Sequence, residues 1–258
     1  MIMPPTVAID FFPESVARYR EDHAIVAVDV IRATTTAVTA VAIGWRCYPT
    51  PSLEAAVPLA ARLQNPLLVG ELGGNMPYGF DLTNSPAELA GRTDITRPLI
   101  LLSTSGTQLL WEARTAPAAY AACLRNYSSQ VRHLAGRFDK VAVIGAGSRG
   151  EFREEDQLCC AWIADGLIQS GYEAANPATL EIVERWRGQP VESFLPSHSV
   201  AYLQRTNQLR DLDYILAHID DLQAVFLLEN DHLVMRGVLA ERETSRPTLP
   251  QPAGPGSA

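Results

Sequence analysis

The sequence predicts a three-layer α/β/α fold with a mostly parallel or mixed sheet, built as one body or as two fused lobes with a seam near residues 120–140. Three observations carry this. Short runs of Val, Ile, Leu and Ala recur along the chain, amphipathic stretches separate them, and glycine- or hydroxyl-rich loops follow several of the runs. Strands covered on both faces read as continuous apolar runs, and alternation with helices places them in a parallel sheet.

Taken in order, residues 24–30, 66–70, 98–103, 140–146 and 223–228 read as strands. Residues 52–64 have helical spacing behind Ser52, with Pro58 expected to kink or shorten the helix. At 85–91, Ser85 stands three residues before Glu88, Pro86 follows it and Gly91 ends the segment, which is a capping box on a short helix. Residues 154–171 form the clearest helix, acidic in the first turn and closed by Gly171. Segments 177–187 and 197–218 also read as helical. Residues 1–240 read as one domain, and 241–258, rich in Pro, Gly and Ser, as a disordered tail.

The chain has 258 residues, 47% of them hydrophobic, enough for a large core. No apolar run reaches the roughly 18 residues of a membrane span, and the first residues lack the pattern of a signal peptide, so a cytoplasmic location is expected. Cys47, Cys123, Cys159 and Cys160 form no CxxC pair and read as buried thiols. A formal net charge of −8 argues against a nucleic-acid partner.

In an open parallel sheet ligands bind beyond the carboxyl ends of the strands. Residues 32–36, RATTT, put Arg32, Thr34 and Thr35 at a helix start, where hydroxyls, free N–H groups and a guanidinium suit an anion such as phosphate. The alternative is a helix capped by Thr34, with the neighbouring threonines packed on the sheet. Residues 103–107, STSGT, repeat the theme with Thr104, Ser105, Gly106 and Thr107. Residues 145–150, GAGSRG, match G-x-G-x-x-G, but the residues that follow are acidic and those near 165 are helical, which departs from a dinucleotide fingerprint. Gly147 and Arg149 of that loop are candidate phosphate ligands.

Acids accompany these loops. Asp29 lies at a strand end, and Glu155 and Asp156 open the helix that begins near residue 154. Glu71 and Asp81 stand in the glycine-rich segment 69–86, which ends on Asn84 and Ser85. Together Asp29, Glu71, Asp81, Glu155 and Asp156 are candidate ligands for an octahedral Mg²⁺, with Asp29, Arg32, Glu155 and Asp156 as catalytic candidates and Asn84 and Ser85 as further phosphate ligands. The alternative for Glu155 and Asp156 is simple complementation of the helix dipole.

The segments VDVIRATTTAV (28–38), GELGG (70–74), GFDLTNSP (79–86), STSGT (103–107) and GAGSRGEFREEDQLC (145–159) together resemble the 2-phosphosulfolactate phosphatase (ComB) family, in the family's order and at about its spacing. The resemblance covers most of residues 24–170. It implies a cytoplasmic, Mg²⁺-dependent phosphatase that converts 2-phosphosulfolactate to sulfolactate, a step toward coenzyme M. SHSVAYL (197–203) resembles a further family segment, in which His198 is either a donor behind the site or an exposed helix-start residue.

Attack by a metal-activated water is one route for such a reaction. A phosphorylated Asp29 is the other, disfavoured because Ile31 stands where haloacid-dehalogenase-type phosphatases carry a second aspartate. Two further functions remain open: a non-catalytic binder of a phosphorylated metabolite, and a dinucleotide-dependent oxidoreductase resting on GAGSRG alone. The partner expected is a small phosphorylated anion, and the sequence leaves room for a homodimer.

Overall fold

The computed structural model describes residues 3–148 and 150–238, so the tail expected at 241–258 lies outside the described residues. Among these residues ten strands form one sheet: β1 (Thr6–Phe11), β2 (Ala24–Val28), β3 (Cys47–Thr50), β4 (Leu67–Gly70), β5 (Leu99–Leu102), β6 (Ala118–Ala122), β7 (Lys140–Gly145), β8 (Glu173–Ala174), β9 (Ala224–Glu229) and β10 (His232–Gly237). Their spatial order is β4-β5-β3-β10-β9-β6-β2-β7-β1-β8. Ladders within β4-β5-β3 and within β6-β2-β7-β1-β8 are parallel. The β9–β10 hairpin sits between the two blocks and pairs antiparallel on both sides, so the sheet is mixed.

The helices are α1 (Ala33–Ile43), α2 (Leu53–Arg62), α3 (Pro86–Ala90), α4 (Gly106–Ala113), α5 (Tyr127–Leu134), α6 (Glu154–Gln169), α7 (Pro177–Trp186), α8 (His198–Arg205) and α9 (Leu209–Ala217). β2 shows how they divide between the two faces. Its Ala24, Val26 and Val28 join one core cluster and its Ile25 and Ala27 the other, as a period of two requires. Apolar residues of α5 to α9 cover the first face, and those of α1, α3 and α4 cover the second. The result is the expected α/β/α sandwich.

Several sequence expectations take physical form here. Ala33 through Val41 of α1 are all buried, its threonines included, so this stretch of the helix is inside the molecule on every side. The Ser85 hydroxyl accepts the Glu88 N–H at 3.1 Å and starts α3 as a capping residue does. α2 continues past Pro58 to Arg62. The stretch 197–218 is two helices, because Asn207 takes a φ of 57° that no helix continues through. All four cysteines are free and buried.

Candidate active site

β2 ends at Val28, and Asp29 turns the chain into α1. Its Oδ1 accepts the Ala33 N–H at 3.1 Å, so the carboxylate caps the helix it precedes. Thr34 Oγ1 accepts the Asp29 N–H and donates to the Asp29 carbonyl, both at 2.8 Å, and Thr35 Oγ1 donates to the Val30 carbonyl at 2.8 Å. These hydroxyls hold the turn itself. The Thr34 and Thr35 hydroxyls are thus engaged by the backbone of the turn and not turned toward a ligand, and the helix N–H is capped by Asp29, not by Thr34. The Ile31–Arg32 peptide bond within the turn is cis.

Arg32 is buried, and its Nη1 donates to Gln208 Oε1 at 2.5 Å and to Asp211 Oδ2. Asp211 in turn accepts the Ser85 hydroxyl at 2.5 Å and the Ala87 N–H at 3.3 Å through Oδ1. One carboxylate thus ties α9 to the start of α3 and to Arg32. Ser85 is consumed in this network and in its cap, which corrects its assignment as a ligand. Asn84, one residue earlier, does face the cavity described below, with its Oδ1 buried and unpartnered among the described residues.

The loops after β4 and β5 are joined by Glu71. Its Oε1 accepts the Thr104 N–H at 2.7 Å, while its Oε2 accepts the Thr104 hydroxyl at 2.9 Å and the Gly74 N–H at 2.7 Å. Gly73, Gly74 and Gly79 take φ of 60°, 89° and 83°, which gives the loop its unusual path. Thr107 turns inward, its hydroxyl accepting the Ser103 N–H at 2.9 Å, so it shapes α4 and does not meet a ligand. Gly106 lies beneath the site. A Cβ there would come within 2.2 Å of Asp29 Oδ2, so this position must lack a side chain for the β5–α4 turn to rest on Asp29. Asp81 leaves the group altogether: its Oδ2 accepts the Leu68 N–H at 2.9 Å and pairs with Arg97 at 3.3 Å, at an exposed edge of the loop.

α6 supplies the remaining acids. Asp156 Oδ1 accepts the Val30 N–H at 2.7 Å, linking α6 to the turn after β2. Glu155 is completely buried, and among the described residues neither carboxylate oxygen has a partner at hydrogen-bond geometry. Burial pushes the Asp29 carboxyl up to about 7; the Ala33 N–H opposes this, and Glu71 and Glu155 add to it. Asp156 is raised well above the carboxylate range by burial and then by Asp29 and Glu155. Glu155 is raised by burial, with the Ser199 hydroxyl offsetting part of the effect. Three buried acids therefore share a shortage of positive charge.

Asp29, Arg32, Glu71, Asn84, Thr104, Ser105, Gly147 and Asp156 all line one cavity of about 540 Å³. Glu155 is not in its wall and acts on it through charge. Arg149 lies outside the described residues. The sequence reading missed Glu151, Arg153, Ser199, Tyr202 and Arg205, which complete the wall beside His198, and it missed Asp211 behind Arg32. The spacing of Tyr202 and Arg205 from His198 on one face of a helix was the available signal for two of them. The loop after β7 closes on itself through a Ser148–Glu151 bridge before α6 begins, so Gly150 does not pack a helix against the sheet as a dinucleotide fold requires.

A model of the 2-phosphosulpholactate phosphatase family matches residues 10–231. The chain belongs to this family. The family is one of phosphoric monoester hydrolases, and the match extends from β1 past β9. A probable 2-phosphosulfolactate phosphatase of Deinococcus radiodurans is 34% identical over 80% of this chain and 86% of its own length. One of Gloeobacter violaceus is 32% identical over 85% and 93%, and one of Carboxydothermus hydrogenoformans 35% over 72% and 77%. No helix among the described residues is long and apolar enough to cross a membrane.

The donor set of this family member fits a hard divalent cation. Among the described residues no three His, Cys, Asp or Glu side chains by themselves enclose a metal ion. Mg²⁺ does not need such a cage, because one or two carboxylates usually hold it together with water and phosphate oxygens. Asp29 and Asp156 are two such carboxyl groups on one cavity, both held above the usual carboxylate range by burial and by neighbouring acids, an effect that a cation beside them would oppose.

Proposed function

We propose that the protein is a Mg²⁺-dependent phosphatase hydrolysing the phosphate ester of 2-phosphosulfolactate, or of a closely related phosphorylated hydroxy acid, to the free hydroxy acid and phosphate. The observation that carries the reading is the meeting of Asp29, Asp156 and Arg32 on one cavity in a chain of this family. A location in the cytoplasm, a step toward coenzyme M, a homodimeric state and the absence of a nucleic-acid partner belong to the same proposal.

In this reading Asp29 and Asp156 hold the cation. When bound, Mg²⁺ supplies charge neutralisation at the phosphate oxygens and a more acidic water. Arg32, fixed by Asp211 and Gln208, presents its remaining N–H groups to a phosphate oxygen and stabilises the charge that develops on the equatorial oxygens. Glu71 keeps Thr104 and the Gly74 backbone in place, so the loop after β5 meets the ester from the opposite side. Asp156 orients the attacking water.

The test is phosphate release from a panel of phosphorylated hydroxy acids, with Mg²⁺ and with a chelator. The proposal expects turnover of 2-phosphosulfolactate with Mg²⁺, its loss with chelator, and its loss in Asp29→Asn. Chelator-insensitive turnover removes the metal from the account, and binding without turnover replaces the enzyme with a metabolite binder.

A further inference from the structure

The helix α8 lines the same cavity as Asp29 and Asp156. Tyr202 stands about one helical turn from His198 and Arg205 nearly two turns from it, and all three line the cavity. The other side of the helix is anchored, with Val200 and Leu203 buried in the core of the first face. Tyr202 also donates its hydroxyl to the Gly74 carbonyl at 2.5 Å, and a Cβ on Gly74 would lie 3.0 Å from the tyrosine ring. α8 is thus docked against the same loop that Glu71 organises, and its distance from the acid end of the cavity is set.

The cations of the cavity are not equally available. Arg32 is engaged by Asp211 and Gln208. Arg153 stands 3.5 Å from Glu151, and His198 faces the same carboxylate at 3.5 Å. Arg205, which is exposed, has neither an ion pair nor a hydrogen bond among the described residues. A guanidinium fork held at a cavity mouth with nothing to grip is suited to a planar or tetrahedral oxyanion.

We propose that Arg205 binds one of the two non-reacting anionic groups of the substrate, the sulfonate rather than the carboxylate where the substrate is 2-phosphosulfolactate, while the phosphate lies at the Asp29, Asp156 and Arg32 end. The site then selects phosphorylated hydroxy acids carrying a further strong-acid group, and α8 sets the distance between the two anions. The assignment rests on the phosphatase reading above and adds a specificity determinant to it.

Steady-state kinetics on two substrates of one skeleton decide it: 2-phosphosulfolactate, and 2-phospholactate, which lacks the sulfonate. Wild-type turnover is measured first. If the wild type hydrolyses neither compound, the phosphatase reading itself has failed and the role of Arg205 falls with it. If the wild type is active, Arg205→Ala raises KM for 2-phosphosulfolactate about tenfold, as loss of a charge-assisted hydrogen bond does. It leaves kcat unchanged and 2-phospholactate kinetics as in wild type, and Arg205→Lys recovers part of the affinity. An unchanged KM, or an equal rise for both substrates, overturns the assignment. Because Arg205 is exposed and unpartnered, the melting temperature of Arg205→Ala matches wild type, which separates recognition from folding.

Discussion

Asp211 holds Arg32 from 179 positions further along the chain, and the two side chains are almost completely buried against each other. Nothing local in sequence joins them. The pair fixes a guanidinium at the edge of the cavity while Ser85 and the Ala87 N–H satisfy the second carboxylate oxygen. Removing one partner of a buried pair typically costs about 3–5 kcal/mol. Asp211→Asn is therefore expected to lower the melting temperature and to reduce kcat/KM by about 10²-fold through misplacement of Arg32. A double-mutant cycle with Arg32→Ala checks the route: once Arg32 is gone, Asp211→Asn adds no further loss of kcat/KM and most of its stability cost disappears, because the pair is already broken.

Gly106→Ala tests the contact between the β5–α4 turn and Asp29. The added Cβ meets Asp29 Oδ2 at 2.2 Å and the Ala33 Cβ at 2.6 Å, and both belong to the start of α1. Overpacking of this kind costs about 1–3 kcal/mol. The expected outcome is a protein that still folds, by circular dichroism, with phosphatase activity lost because the carboxylate is displaced.

The legible part of this protein was its local chemistry. Residues 24–30 announced β2 through an apolar run broken by one acid, and the Ser85 cap of α3 was readable from its own four residues. The hydroxyls of Thr34 and Thr35 looked like ligands because a free hydroxyl at a helix start and one bonded to the preceding turn are spelled alike. Asp81 and Glu71 were equally plausible as letters in one loop, and only the meeting of Glu71 with Thr104, 33 positions away, separates them. The β9–β10 hairpin, which separates the two parallel blocks, needed pairing across the whole chain, and the sequence reading found only its first strand.

Asp81 and Glu71 make the corresponding pair of variants. Asp81→Ala removes an exposed ion pair with Arg97, worth at most about 1 kcal/mol, and leaves turnover intact. Glu71→Gln disrupts the acceptor of the Thr104 N–H and hydroxyl and lowers kcat/KM. Equal effects from the two substitutions, measured by initial rates, would return Asp81 to the site.

The pH dependence of stability follows from the acids. Asp29 is raised to about 7 from 3.8, and Asp156 and Glu155 are raised as well. A group with a raised folded pKa holds its proton more tightly in the folded state, so its stabilisation is complete below the unfolded value and is lost as pH climbs through the folded one. In chelator the melting temperature is expected to fall between pH 4 and about 7, and Asp29→Asn to flatten that fall. Mg²⁺ is expected to raise the melting temperature more at pH 8 than at pH 5, because only the ionised carboxylates bind it. A metal-induced shift equal at both values would remove the buried acids as its source.

On the proposed function, Asp29 and Asp156 offer one cation site on the cavity that Arg32 borders. Crystals grown with Mn²⁺ and phosphate, measured at the manganese absorption edge, test it most directly. The predicted result is an anomalous peak within ligating distance of Asp29 and Asp156, with phosphate oxygens between the ion and Arg32. A peak elsewhere on the molecule, or phosphate bound without a metal, contradicts it.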